Sequence, residues 1–519
     1  MKPIALISGF LTVGAWTLVS RVAGFLRDVF IAFWLGSGPV AEAFIVAQSL
    51  PNMFRRFFAE GALNMAFVPI YARKLETGDD PAGFARDAYW FMAAFLAIFT
   101  LAGQLVMPAL VMVMASGFAG DERFDMAVTL GRIAFPYILF ISLTALLSGM
   151  LNAMGRFLAT AVAPVIMNAF LIAAMFAAAW SGWDMGRALA WSVTLAGVLQ
   201  LGFIWIALRR GGARVPFRRP RLTPELRRLF TVAAPAVLAG GVVQVNLLIG
   251  RQVASFHEGA VAWLAYSDRL YQLPLGVVGI AIGVVLLPDL SRRLGAGDEA
   301  GGRASFNRGA EFALFLTVPA TVALAVIALP LVSVLFERGE FTAADSRQTA
   351  LALAAYAVGL PAFVLHKVLQ PLFYARHDTR RPFLYALVAM VVNAAVAVAL
   401  MPLFGFLAAA IATSLSSWVM VWQLWRGSRA MGVAARPDAR LCARLPRILV
   451  SAAVMGLVLW GLLAWAGDAA ISGATRPAWL AVLVGVGAAS YFLAAALTGA
   501  MRPSELRRYL RRTPGSGAA

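Results

Sequence analysis

Charge is scarce in this sequence. Only 13% of its 519 residues are Asp, Glu, Lys or Arg, while 61% are hydrophobic. That balance excludes an intrinsically disordered chain and is too apolar for an ordinary soluble enzyme. Cysteine occurs once, at Cys442, which excludes an internal disulfide and a thiolate metal cluster. The three histidines, His257, His366 and His377, are scattered and show no metal-ligand spacing. A glycine-rich phosphate loop is missing, which argues against nucleotide hydrolysis. Ser267 has no histidine base nearby in sequence, so no catalytic set competes well and the chain is not expected to be an enzyme. Alternating β-barrel patterning is also absent, leaving helices as the membrane-crossing option.

What is present is a succession of apolar runs of about 20 residues, the length that crosses a hydrocarbon core as a helix. About fourteen spans are expected, approximately at 6–34, 40–72, 87–114, 128–152, 159–181, 187–208, 230–255, 261–290, 307–335, 345–374, 383–402, 405–425, 446–466 and 477–500. The N-terminus lacks a convincing signal-peptide cleavage site, so the first run is read as a retained span. The fold class is thus an all-α polytopic membrane protein.

Charge sign then orients the chain. The formal net charge is +19, yet the basic residues sit in short gaps between spans and not on a separate basic domain, so nucleic acid is rejected as a partner. With the gaps assigned alternately to two sides, one side receives about 31 of the 44 basic residues, which the positive-inside rule makes cytoplasmic. Both termini then face the cytoplasm. The opposite gaps, such as Gly36–Pro39 and Ser181–Asp184, are short and nearly free of basic charge.

A weak internal repeat divides the first twelve spans. Phe67-Val-Pro-Ile-Tyr-Ala-Arg-Lys74 matches Leu286-Leu-Pro-Asp-Leu-Ser-Arg-Arg293. Leu151-Asn-Ala-Met-Gly-Arg-Phe157 with Asn168 matches Phe373-Tyr-Ala-Arg-His-Asp-Thr-Arg-Arg-Pro382 with Asn393. Six spans per half gives a parallel repeat, and substrate sites in such folds lie between the halves. The expected organisation is an N-terminal lobe at 1–208 and a basic cytoplasmic linker at 209–229 with an amphipathic helix suited to the anionic inner leaflet. A C-terminal lobe at 230–425, a cytoplasmic loop at 426–445, two last spans within 446–500 and a basic tail at 501–519 complete it.

Several charges fall where lipid is expected. The first span contains Ser20-Arg-Val-Ala-Gly-Phe-Leu-Arg-Asp28. A mid-membrane charge costs about 2.5–3.5 kcal/mol on the lenient insertion scale, so Arg21, Arg27 and Asp28 must face protein, water or ligand. Arg21 and Asp28 share a face two turns apart, with Arg27 about 120° away. The second span carries Glu42 and Leu50-Pro-Asn-Met-Phe-Arg-Arg-Phe-Phe-Ala-Glu-Gly61, in which Arg56 and Glu60 are i,i+4 partners and Arg55 is the freer cation. The eighth opens Tyr266-Ser-Asp-Arg-Leu-Tyr-Gln-Leu-Pro274, adding Ser267, Asp268 and Arg269 before a proline able to break the helix. The tenth contributes His366 and Lys367. Arginines near span ends also snorkel, and arginine–carboxylate pairs also lock helices together, so the cluster says more than any member. Guanidinium groups match phosphate oxygens bidentately, whereas a cation pathway favours acidic rings.

At these residues the chain resembles the lipid II flippase family, called MurJ or MviN, of the multidrug/oligosaccharidyl-lipid/polysaccharide exporter superfamily. The matching strings are Ser20-Arg-Val-x-Gly-Phe-x-Arg-Asp28, Leu50-Pro-Asn-x-x-Arg-Arg-x-Phe-Ala-Glu-Gly-Ala62, Ala66-Phe-Val-Pro69 and Asp268-Arg-Leu270 with Pro274 and Gly276. Phe135-Pro-Tyr-Ile138, Leu151-Asn-Ala153 and Phe341-Thr342 extend the match over essentially the whole chain. The resemblance implies transport of undecaprenyl-pyrophosphate-disaccharide-pentapeptide across the bacterial inner membrane for cell-wall synthesis, by alternating access. It implies that Arg21, Arg27, Arg55 and Arg269 line a cavity, with Asp28, Glu42, Arg56, Glu60, Ser267 and Asp268 in pairing or gating roles. It also implies a groove for the polyprenyl tail in the last two spans. No cofactor is implied; coupling to membrane potential or a monovalent cation is expected, as is passing contact with the peptidoglycan synthesis machinery. Many relatives have Asp where this chain has Glu42, whose longer reach shifts any gate pair there. The alternatives are a related lipid-linked oligosaccharide flippase or a drug exporter.

Overall fold

The structure is a computed structural model that describes residues 3–56, 62–470 and 472–501. Glu60, Lys2 and the basic tail beyond Met501 lie outside the described residues. Within them the chain is helical, with short 3-10 turns and no strand. Two compact units emerge: residues 1–262 with 338–342, and residues 263–337 with 343–519.

The first unit contains α1 (Pro3–Leu35), α2 (Pro39–Arg55), α3 (Ala62–Thr77), α4 (Pro81–Leu105), α5 (Met107–Met114), α6 (Glu122–Ala134), α7 (Tyr137–Ala153), α8 (Leu158–Ser181), α9 (Met185–Arg210) and α10 (Pro224–Ala254). Its helix starts follow capping chemistry. Asp80 accepts from the Gly83 amide, Asp184 from Arg187 and Thr223 from Leu226, each satisfying a donor that the first helical turn leaves open. Proline occupies the first helical turn of α2, α4 and α10, where its missing N–H costs nothing. The short gaps expected near 36–39 and 181–184 turn on Gly36 and Gly182, both at positive φ. Phe67, Tyr71, Phe84, Tyr89, Leu147, Ile204 and Leu226 form a core that joins α3, α4, α7 and α9 to the start of α10.

The second unit holds most of α11 (Ala260–Gly295), then α12 (Glu299–Val326), α13 (Ala328–Phe336), α14 (Ala343–Ala357), α15 (Leu360–Tyr374), α16 (Arg380–Phe404), α17 (Leu407–Ser428), α18 (Ala439–Ala466) and α19 (Arg476–Thr498). The order from α12 to α17 repeats that from α4 to α9: a long helix, a short one after a break, a helix pair split near a proline, then two long helices. The recurrence of this order in the second unit agrees with the sequence repeat. Asn168 on α8 and Asn393 on α16, which the sequence pairs, are both buried. The two last helices pack on α12, where the Tyr491 hydroxyl donates to the Phe315 carbonyl at 2.6 Å.

Ten helical stretches among the described residues are long and apolar enough to cross a membrane, and they fall on expected spans three to six and nine to fourteen. α1, α2 with α3, α10 and α11 occupy the other four expected positions.

Three differences from expectation have physical causes. No separate amphipathic helix forms in the linker: residues 213–223 have no regular secondary structure and α10 runs unbroken from Pro224, because Pro216 and Pro220 remove helical donors. The division between the units falls after Ala262 and not in the linker, because α10 packs on α3, α4 and α5. Pro274 and Pro288 lie inside a continuous α11 instead of breaking it. The loop expected at 426–445 is also firmly held. Arg376 bonds Glu299 and the Met431 carbonyl, both at 2.7 Å, while Glu311 of α12 takes Arg308, Arg440 and Arg444.

Candidate functional site

On α1 the three charges separate into distinct roles. Arg21 is exposed, and among the described residues it makes no hydrogen bond or ion pair. Arg27 and Asp28 are both buried. The Arg27 Nε and Nη2 donate to the Asp28 carboxylate at 3.0 and 2.7 Å, and Nη1 donates to Asn168 Oδ1 of α8 at 3.0 Å. The other end of the Asn168 amide donates to the Ser20 carbonyl at 3.2 Å. Gly24 faces this amide, and a Cβ there would stand 3.5 Å from it, an ordinary van der Waals contact. Helical spacing separates Arg27 and Asp28 by about 100°, but a long guanidinium stem closes that gap. Asn168 was legible only as a repeat marker. Its role needs the packing of α8 on α1.

α2 positions the next group. Arg55 closes the helix, half-buried, and the exposed Arg56 forms its C-cap, its backbone N–H meeting the carbonyls of Asn52 and Phe54. The expected Arg56–Glu60 pair involves a residue outside those described. Glu42, in the first turn of α2, is 1% exposed. One of its carboxylate oxygens accepts from Arg123 Nη1 of α6 at 2.9 Å, and the other from the Val261 amide at the start of α11 at 2.9 Å. Arg123 also pairs with Asp121 at 2.5 Å and stacks its guanidinium 4.5 Å from the Phe118 ring centre. Burial pushes the Asp121 carboxyl up, but bonds from the Arg123 backbone and guanidinium prevail and hold it below the usual carboxylate range. Sequence reasoning missed Arg123. Its signal was a lone arginine beside acids in a gap on the basic-poor side.

In the second unit, Ser267 is fully buried and donates to the Leu264 carbonyl of its own helix at 3.0 Å. Asp268 takes a hydrogen bond from Gln272, and Arg269 is exposed. Lys367 on α15 lies against α11, its Nζ 2.8 Å from where a Gly279 Cβ would stand. The buried Nδ1 of the adjacent His366 has no hydrogen-bond partner among the described residues.

Among the described residues, two helical units of matching element order carry charged side chains inside apolar helices. A multidrug resistance MATE transporter of the MOP superfamily, solved in an inward-facing conformation, shares this fold at TM-score 0.64, with 16% identity over 83% of this chain and 96% of that one. A solved lipid II flippase MurJ in an inward closed conformation reaches TM-score 0.80 at 22% identity, over 96% of this chain and all of that one. The family model for lipid II flippase MurJ matches residues 31–470. A probable lipid II flippase MurJ from Rhizobium meliloti is 43% identical over 98% of this chain and 97% of its own. The lipid II flippase MurJ of Burkholderia cenocepacia is 36% identical over 89% and 90%. The chain belongs to the MurJ family, and it is a multi-pass membrane protein.

Proposed function

We propose that this chain is a lipid II flippase of the bacterial inner membrane, carrying undecaprenyl-pyrophosphate-linked disaccharide-pentapeptide from the cytoplasmic to the periplasmic leaflet by alternating access, without chemical conversion. The observation that carries this reading is Arg21: an exposed guanidinium on a membrane helix, without a partner among the described residues, in a chain whose relatives are named for lipid II. An unpaired cation inside a membrane is expensive, and a pyrophosphate that pairs with it removes the cost. Arg55 and Arg269 join it as ligand-facing cations in this reading. Arg27, tied to Asp28 and Asn168, braces α1 against α8. Glu42 and Arg123 hold the start of α11 to α2 and α6. Both termini face the cytoplasm, where the substrate is made, and membrane potential or a monovalent cation supplies the driving force.

The test is complementation. Arg21→Ala, Arg27→Ala, Arg55→Ala and Arg269→Ala variants are expressed in cells depleted of their own flippase, and lipid II on the outer leaflet is measured. Each should insert normally yet fail to expose lipid II. Rescue by all four would sink the assignment. Drug export is the second reading, supported only by fold similarity to MATE transporters. It predicts drug resistance in the same cells and no lipid II exposure.

A further inference from the structure

The irregular segment between α9 and α10 is not used by the transport reading. Between residues 209 and 228 it carries eight arginines (209, 210, 214, 218, 219, 221, 227 and 228) against one acid, Glu225. Despite lacking helix at 213–223, it is fastened at several points. Val215 is buried, Trp90 Nε1 donates to the Pro216 carbonyl at 2.9 Å, Arg218 pairs with Asp87 at 3.0 Å, and Lys74 pairs with Glu225 at 3.0 Å. Carboxylates at Asp79 and Glu225 hold the Lys74 ammonium above the usual lysine range, so that last attachment stays charged at neutral pH.

Aromatic side chains set the depth of this strap. Trp90 stands on the face of α4 that also carries Ile98, Leu101 and Leu105, within about 80° at 3.6 residues per turn. Those three residues are 68%, 64% and 80% exposed, the stripe a membrane helix turns to lipid. Phe217 packs edge-on against Trp90 at 4.8 Å and is itself 74% exposed. On α9, the half-buried Trp205 packs on Tyr89 at 5.3 Å and lies under the Arg209 guanidinium at 5.8 Å. Tryptophans at the end of lipid-facing stripes mark the headgroup level. The strap therefore runs along the membrane–water boundary with Phe217 and Leu222 turned outward, flanked by arginines. Arg214, Arg219 and Arg221 are exposed and make no hydrogen bond or ion pair among the described residues.

We propose that the 209–228 strap is a preorganised binding site for anionic phospholipid headgroups, in which Arg214, Arg219 and Arg221 take the lipid phosphates and Phe217 and Leu222 enter the acyl boundary. Guanidinium groups suit phosphate oxygens, and a fixed strap loses little freedom on binding. The proposal is independent of the transported substrate, since it needs only the bilayer.

The experiment uses the full chain, purified in neutral detergent and titrated by native mass spectrometry with phosphatidylglycerol, phosphatidylcholine or inorganic phosphate. Wild-type protein should retain phosphatidylglycerol strongly and the other two weakly, with retention falling as salt rises. The combined variant R214Q/R219Q/R221Q should bind phosphatidylglycerol roughly two orders of magnitude more weakly. Phe217→Ser should weaken it to a smaller degree, with unchanged salt dependence. If the triple variant melts early in neutral detergent, Arg221→Gln alone is carried through the same titration and should lose about fivefold. Equal retention of phosphatidylcholine, equal binding of inorganic phosphate, or wild-type affinity in the variants overturns the proposal.

Discussion

A single amide shows how much a membrane interior asks of each polar group. Asn168 accepts from Arg27 through Oδ1 and donates to the Ser20 carbonyl through Nδ2. Reversing the amide would set donor against donor and acceptor against acceptor, so this orientation alone satisfies both neighbours. Asn168→Ala should therefore lower stability by about 1–3 kcal/mol, read as an earlier thermal melt, and reduce lipid II exposure with both α1 charges still present. The two α1 arginines should also part company under a conservative change. Arg27 uses three guanidinium nitrogens on two partners, a fork that an ammonium cannot reproduce. Arg27→Lys should melt earlier than Arg21→Lys, which should keep wild-type stability and lose function only. Equal melts for the two lysine variants would remove the distinction between a bracing and a ligand-facing arginine.

At the scale of elements, prolines both stop helices and pass through them. The expected third, fourth, ninth and tenth spans each split in two, beside Pro108, Pro136, Pro330 and Pro361. Pro164, Pro319 and Pro402 instead lie inside α8, α12 and α16. A proline removes one donor and crowds the carbonyl four residues back, but whether the helix yields depends on what packs there. The apolar runs were thus readable from composition, whereas the breaks were not. The Glu42–Arg123 pair ties three elements and is closed to water. Removing one partner leaves an uncompensated buried charge, so Arg123→Ala should destabilise the protein by about 3–5 kcal/mol. Adding Glu42→Gln to that variant should restore part of the loss. A double-mutant cycle in thermal unfolding measures the coupling, and simple additivity would show that the pair contributes nothing of its own.

At the scale of the whole molecule, orientation rests on charge asymmetry across the bilayer. The single cysteine makes this directly testable, because a Cys442→Ser variant offers a clean background for introduced cysteines. A cysteine at Ser37 should react with an impermeant thiol reagent added to intact spheroplasts. One at Ser504 should react only after the membrane is opened. The reverse pattern would invert the topology and would place the strap's arginines on the outer face.

By itself the sequence determined the class, the approximate spans, the repeated order of elements and the charged positions that lipid could not accept. Those follow from the length of the hydrocarbon core and the cost of burying charge, which act on local composition. Only the tertiary structure decided what each charge does. Arg21 and Arg27 stand six residues apart in one helix, yet one is exposed and the other is held by Asn168, distant in sequence. Arg123 found Glu42, and the linker became a fastened strap in place of a helix, for the same reason. A polar group's partner is set by which helices pack together, and that is a property of the folded chain.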